Sequence, residues 1–404
     1  MPLKKTARSK QNQTDSVRAI PVWSERLAYF EARREQIVKT IREFVEIESP
    51  SDNKAAADRM GAFLAGSFEA VGGRAIVHRS EDFADSVQID FPGRDPALKK
   101  IKPVLVLGHF DTVYPLGTLA TMPCLIVDGR LHGPGVLDMK SGIALMLYAI
   151  AALQAWHTGL PRPVTVFLVS DEEVGSYSSR NITEALAKES AAVLVLEPAA
   201  PRSAVKTARK GVGEYILNVK GVAAHAGLDP GKGHSAILEL ARQITAISKL
   251  NDLHHGLSVN PGVIRGGTRT NVIAADATVE IDVRITHAKQ ASALDRKFRA
   301  LKPFDKHCKL GIEGGINRLP MERNAGVAAL YKKAQAIAKQ IDWKLEEAAV
   351  GGGSDGNFTG ALGIPTLDGL GVRGADAHTL NEHIEVDSLA ERGRLMAGLL
   401  ATLS

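Results

Sequence analysis

His109 and Asp111 stand two residues apart at the end of the apolar run Val104–Leu107, in Gly108-His109-Phe110-Asp111-Thr112-Val113-Tyr114. In extended backbone such residues point the same way, so the imidazole can hold a cation while the carboxylate orients it. Gly133-Pro134-Gly135-Val136-Leu137-Asp138 follows. Its glycines suggest a dinucleotide-binding turn, but Pro134 interrupts that pattern and Asp138 stands where the third glycine belongs. Asp138 instead opens a long helix, and its two carboxylate oxygens can bridge two ions. Asp171-Glu172-Glu173 ends a second apolar run. Three consecutive acids repel one another unless a cation is near, and adjacent side chains diverge, so Glu173 can face an ion while Glu172 faces a reacting water. Glu197 ends a third apolar run, and His378 arrives late, in Asp376-Ala377-His378-Thr379.

Each residue alone has an ordinary reading as a strand-end acid, a helix cap or a loop histidine. Together, two His, one shared Asp and two Glu form a mixed nitrogen and oxygen donor set. Such a set suits two divalent ions about 3.5–4 Å apart. Neither Cys124 nor Cys308 takes part, which argues against a purely structural zinc site.

These residues need a scaffold that brings strand ends together. Apolar runs alternate with helices: strands at 74–78, 87–91, 104–107, 164–169 and 192–196, and helices at 24–48, 53–71 and 139–157. That alternation predicts an α/β sheet covered on both faces, with ligands at the carboxyl ends of its strands. The pattern changes near Gly211. Strands at 215–220, 257–264 and 278–285 and helices at 235–250 and 288–300 predict a smaller α+β insert over 212–320. The first domain resumes with a helix at 324–341, a glycine-rich loop at 350–356, a strand at 365–367 and a last helix from 386. The catalytic domain is thus expected over 20–211 and 321–404, with 1–19 a flexible tail.

The segments GHFDTVY, GPGVLDMKSG, DEEVGS, EP, GGGSDGN and HTLNE resemble, in order and spacing over about 35–400, those of a di-zinc metallopeptidase superfamily. It contains glutamate carboxypeptidases, aminoacylases, acetylornithine deacetylases and succinyl-diaminopimelate desuccinylases, and the carboxypeptidase G branch is the nearest. The resemblance implies a zinc-exopeptidase-like mixed sheet flanked by helices, with a ferredoxin-like dimerisation or lid domain inserted. It implies that His109, Asp138 and Glu197 hold one zinc and Asp138, Glu173 and His378 the other, with Co2+ or Mn2+ able to substitute. Asp111 then supports His109, Glu172 is the general base, and a cis peptide joins Asp138 to Met139. In Val222-Ala223-Ala224-His225-Ala226-Gly227, His225 matches a histidine that reaches the partner's active site in a homodimer and polarises the scissile carbonyl. Ala224 departs from the usual serine there. Asn271 and Arg284 match insert residues that line the site. Arg318 matches the arginine that grips a substrate carboxylate, and Gly352 meets the substrate through its backbone.

The implied activity is metal-dependent cleavage of the amide bond of a peptidyl or N-acyl amino acid with a free carboxylate, C-terminal glutamate being one candidate. An aminoacylase or deacylase of another N-acyl amino acid is the alternative within the class. A non-catalytic carboxylate- or peptide-binding protein on the same scaffold is the alternative outside it, and it would need a damaged ligand set.

Composition bounds the rest. The 404 residues are 45% hydrophobic and 24% charged, enough for two domains with a sizeable core. The net charge of +5 owes much to Lys4, Lys5, Arg8 and Lys10, which read as a solvated tail rather than a nucleic-acid arm. No membrane span is expected. No apolar run follows the basic start as in a secretory signal, and two distant cysteines fit a reducing compartment, so a cytoplasmic location is expected; a trimmed secreted chain would read the same.

Overall fold

The computed structural model describes residues 23–95 and 101–403; the expected tail, 1–19, lies outside the described residues. Three strictly buried strands, Val104–His109, Val164–Val169 and Ala192–Val195, run parallel side by side, with Val104–His109 in the middle. Burial on both faces explains their unbroken apolar runs. Outside them lie Ser86–Phe91, antiparallel to both its neighbours, and then Arg74–His78 on one edge, and the short parallel strand Thr366–Leu367 on the other, giving a mixed six-stranded sheet. His109 pairs with Val169, and Leu107 with Val195. All three strands therefore end at one level, and the residues just past them face the same space.

The segment 136–155 is long and apolar enough to cross a membrane, which the sequence reading did not anticipate, but 83% of its most apolar stretch is buried within the protein. It is a core helix, Ser141–Ala155, entered through an irregular turn at Val136–Lys140. Gly142 at its start sits against the end of strand Ala192–Val195, where an added Cβ would lie 2.2 Å from the backbone oxygen of Leu196. This close approach sets the distance between the Asp138 turn and Glu197. Gly142→Ala is expected to destabilise the protein by about 1–3 kcal/mol through overpacking, read as a lower urea midpoint. An unchanged midpoint would mean that the contact is slack.

A small antiparallel sheet of Leu125–Val127, Arg130–His132, His383–Glu385 and Gly374–Ala375 joins remote parts of the chain. Its pairing of His132 with His383 brings the Asp138 turn beside the loop carrying His378. Glu347–Val350 pairs in parallel with Val205–Arg209, which seats the glycine-rich loop next to Arg209.

The second sheet runs in the order Ser258–Gly266, Asp276–Ile285, Gly211–Lys220, Lys309–Arg318, all antiparallel. With helices Ala236–Ser248 and Ala288–Arg299 it has the βαββαβ order of a ferredoxin-like fold. Burial alternates along Gly211–Lys220 and Asp276–Ile285, as expected of a sheet with one covered face. Tyr215 stacks on Phe298 at 4.0 Å in a core separate from that of the first sheet.

Helix Arg180–Lys188 and the strands Leu125–Val127, Arg130–His132, Val205–Arg209, Glu347–Val350 and His383–Glu385 were not expected, and two further differences have a local cause. The helix expected over 24–48 is two helices, Trp23–Glu31 and Arg34–Glu46. Arg33 leaves helical geometry (φ −109°, ψ 10°), so Phe30 turns toward Trp156 while Ile37, Ile41 and Phe44 remain in the core. The strand Lys309–Arg318 was not anticipated, because Gly311, Gly314 and Gly315 dilute its signal. Gly314 is needed there: its φ is +82°, and a Cβ would lie 2.1 Å from the Glu214 backbone oxygen.

Candidate metal centre

The five expected donors converge. His109 Nε2 lies 3.0 Å from Asp138 Oδ1 and 3.6 Å from Glu197 Oε1. His378 Nε2 lies 3.4 Å from Asp138 Oδ2 and 3.2 Å from Glu173 Oε1. The donors thus form two groups of three that share Asp138, one oxygen to each. Ligands at about 2.0–2.2 Å from a tetrahedral ion stand roughly 3.3–3.6 Å from one another, so both groups fit a divalent cation. The peptide bond between Asp138 and Met139 is cis.

Electrostatics supports the same fit. Burial resists charge on His109, yet Asp111, Asp138 and Glu197 hold its protonated form well above the usual imidazole range. Asp138 and Glu173 raise His378 to about 10. Burial also opposes charge on Asp138, but the two imidazoles keep its carboxyl far below its ordinary range. Without metal, protonated imidazoles offset the clustered carboxylates.

The surrounding contacts decide orientation. His109 Nδ1 faces the Asp111 backbone oxygen at 3.1 Å and its carboxylate at 3.4 Å, leaving Nε2 for the centre. Asp111 does more than expected: its carboxylate also accepts the N–H groups of Glu172 and Glu173, both at 3.2 Å, and the Ser51 hydroxyl at 2.8 Å. It therefore aligns the acid turn with the histidine. Within that turn the three acids diverge. Asp171 accepts from Ser178 N at 2.7 Å and Ser178 Oγ at 2.9 Å, Glu173 joins the cluster, and Glu172 turns aside to Arg318. Burial is the main cause that raises the Glu172 carboxyl well above its ordinary range, with Arg318 opposing.

Arg318, expected to grip a substrate carboxylate, is engaged by the protein's own acids. A bulge between Ile316 and Arg318 re-aims the strand end. Its Nη2 is already committed to Glu172 Oε1 at 3.0 Å, Ser176 Oγ at 2.8 Å and Asp355 Oδ1 at 3.2 Å. Arg318 and Arg284 line one cleft of ≈ 890 Å³ between the two sheets, with Glu173, Arg180 and Asp282. Arg284 is paired with Asp282 at 2.8 Å. His225 and Asn271 are exposed on a turn of the insert, where the Asn271 carbonyl accepts from Ala226 N. Among the described residues neither has a hydrogen bond or ion pair to the five donors. His225 Nδ1 accepts from Gly227 N and Leu228 N, so its Nε2 carries the free N–H.

Three positioning residues escaped the sequence reading. Buried Arg209 donates to Glu197 Oε2 at 2.9 Å, to Asp368 Oδ2 at 2.7 Å, and to the carbonyls of Gly352 and Gly353. Gly352 is thus held by its carbonyl to the residue that also steadies Glu197. Glu382 accepts from the N–H groups of Leu137 and Asp138, at 2.7 and 3.0 Å, and from the Tyr114 hydroxyl; the Thr379 carbonyl lies 2.8 Å from the same hydroxyl and shares its one proton. Glu382 and Tyr114 lie inside quoted segments, but their roles need the fold. Arg209 has no motif signal at all.

The sequence profile of Peptidase family M20/M25/M40 matches residues 105–402. Carboxypeptidase G2 of Pseudomonas sp. (strain RS-16) is 27% identical over 374 residues, 91% of this chain and 89% of that protein. A succinyl-diaminopimelate desuccinylase of Acinetobacter baumannii (strain SDF) is 29% identical over 302 residues, 70% of this chain and 78% of that protein. The structure of aminopeptidase PepT from Bacillus cereus ATCC 10987 matches with a TM-score of 0.73 at 21% identity, covering 91% of this chain and 98% of that one; this likeness concerns the fold. The family's profile spans the central strands, the Asp138 turn and the His378 loop alike, and the chain belongs to peptidase family M20/M25/M40, whose members are metal-dependent hydrolases.

Proposed function

We propose that the protein hydrolyses the amide bond of a peptidyl or N-acyl amino acid bearing a free carboxylate, with C-terminal glutamate the first residue to test. The observation that carries this reading is the pair of three-donor groups sharing Asp138, with the neighbouring Glu172 paired to Arg318, which lines the cleft. We assign His109, Asp138 and Glu197 to one ion, Asp138, Glu173 and His378 to the other, and zinc as the metal. When bound, such a pair supplies Lewis-acid activation of water and of the scissile carbonyl.

The chain's own residues do the rest. Glu172 takes a proton from the attacking water and returns it to the leaving amine; its raised affinity for protons suits both steps. Arg318 keeps that carboxylate in place. Arg180, Arg284 and Arg318 offer guanidinium donors in the cleft that a substrate carboxylate would share with their present acid partners. His225, with a free Nε2–H, serves as a donor to the developing oxyanion when a second copy brings it over the cleft. Exposed apolar residues on the insert, Leu228, Leu238 and Ile264 among them, support pairing through that domain. A cytoplasmic location remains part of the proposal.

A second reading is deacylation of an N-acyl amino acid with an amine in its side chain. It is favoured by Glu214, Glu280 and Asp282, which line the same cleft, and by the likeness to the desuccinylase. A panel of N-acyl and peptidyl amino acids, assayed with zinc-, cobalt- or manganese-loaded protein, decides. Turnover of acyl-glutamates above all others is expected. Preference for an amine-bearing substrate would transfer the assignment to the second reading, and no turnover on any member would remove both.

Metal binding should also release protons. Below about pH 10 His378 carries a proton in the metal-free protein, and the carboxylates around His109 hold its proton well above the usual imidazole range. A metal ligand must be deprotonated, so affinity is expected to rise with pH across the neutral range. Adding Zn2+ to metal-free protein in weak buffer should acidify the solution by one proton from each imidazole. Binding without acidification would contradict the ligand assignment.

A further inference from the structure

The insert contains a second group of donors that the reaction does not use. His234 ends the loop before helix Ala236–Ser248, while Asp305 and His307 lie on the turn after helix Ala288–Arg299. One ligand atom from each of the three lies within 4.8 Å of the others. The two imidazole rings stack with centroids 4.0 Å apart and planes at 29°. Asp305 Oδ2 meets His234 Nδ1 at 2.7 Å, and Asp305 Oδ1 accepts the His307 N–H at 2.9 Å. The aspartate is itself fixed from below: buried Glu239 accepts the N–H groups of Phe304 and Asp305 at 3.0 and 2.9 Å.

We propose that His234, Asp305 and His307 bind one divalent transition ion of the zinc, cobalt, nickel or copper class, at a site that shares no residue with the two-metal centre. A hydrogen bond accounts for His234 and Asp305 as a pair. It does not account for a second imidazole stacked on the first, with donors from two separate segments gathered around one carboxylate. Two imidazoles and a carboxylate suit borderline divalent ions rather than calcium or magnesium. Three protein ligands leave further coordination positions to water, and His307 is exposed.

The location gives the ion a consequence. His234 closes the base of the turn that carries His225, through backbone hydrogen bonds in both directions with Val222 at 2.8 and 2.9 Å. An ion at His234 ties that base to the Asp305–His307 turn, and so stiffens the support of the donor expected to act across a dimer.

The test counts ions rather than turnover, so it is independent of the proposed reaction. The full-length protein is dialysed to equilibrium against buffered free Zn2+ and its metal content measured. The native chain should hold one more zinc than the His234→Ala/His307→Ala variant. A variant of another adjacent histidine pair, His254→Ala/His255→Ala, whose rings are 4.8 Å apart at 76°, should keep the native count. If the double variant fails to fold, His307→Ala alone, at an exposed position, serves instead and should lose the same equivalent. With Cu2+ as probe, the electron paramagnetic resonance spectrum should lose a component with nitrogen ligands in step with that equivalent. Equal zinc counts in native and variant protein would overturn the proposal, as would an equal loss in the His254/His255 variant, which would mark ordinary surface chelation.

Discussion

Glu172→Ala is expected to lower kcat by about 10²–10⁴-fold, the usual contribution of a positioned general base, while bound metal stays at its native level. The expectation follows from how the acid turn divides its side chains. Glu173 faces His378 at 3.2 Å and belongs to a donor group. Glu172 is in neither group and is held instead by Arg318 at 3.0 Å. Removing its carboxylate therefore takes away a proton carrier without removing a ligand. Because the loss falls on a step after binding, kcat and kcat/KM should fall together. Metal analysis and circular dichroism of the purified variant establish that the centre and the fold survive. Turnover within a few-fold of native would remove Glu172 from the role. Loss of metal along with activity would mean that it is a ligand.

The second large effect is on stability. Arg209→Ala is expected to cost about 3–5 kcal/mol, the usual result of taking one partner from a buried ion pair. Arg209 and Asp368 are both fully or nearly fully buried, and Glu197 is only 7% exposed. Without the guanidinium, two carboxylates and the carbonyls of Gly352 and Gly353 lose their donor together. Arg209→Lys keeps a positive charge but cannot reach all four acceptors with a planar fork, so an intermediate loss is expected. Urea unfolding of metal-free native and variant proteins measures the difference. Metal affinity should fall as well, since Glu197 Oε2 loses the contact that turns Oε1 toward His109. A midpoint shift worth less than about 1 kcal/mol would mean that solvent reaches the network and screens it.

Much of this centre was legible before any fold was known. An apolar run buried on both faces has no polar reason to end in an acid or a histidine, so His109, Asp171–Glu173 and Glu197 stood out where three such runs stop. Asp138 was legible because a helix-opening acid after glycines did not fit a nucleotide-binding turn. The strands at 215–220, 257–264 and 278–285 likewise marked the insert as a separate α+β unit. These are local signals, written in neighbouring residues.

What stayed hidden depends on pairings between distant segments. Arg209 and Asp368 are 159 residues apart, and Tyr114 and Glu382 are 268 apart; no periodicity or spacing links them. The bulge that aims Arg318 at Glu172 arises in a strand too rich in glycine to be read as one. The union of the two donor groups waited on the small sheet that places His383 against His132. The sequence by itself determined which side chains have the chemistry and at which strand ends they stand, because burial and backbone period act over a few residues. Only the tertiary structure decided which oxygen faces which imidazole and what steadies it, because hydrogen bonds join whatever the folded chain brings within about 3 Å, regardless of separation along it.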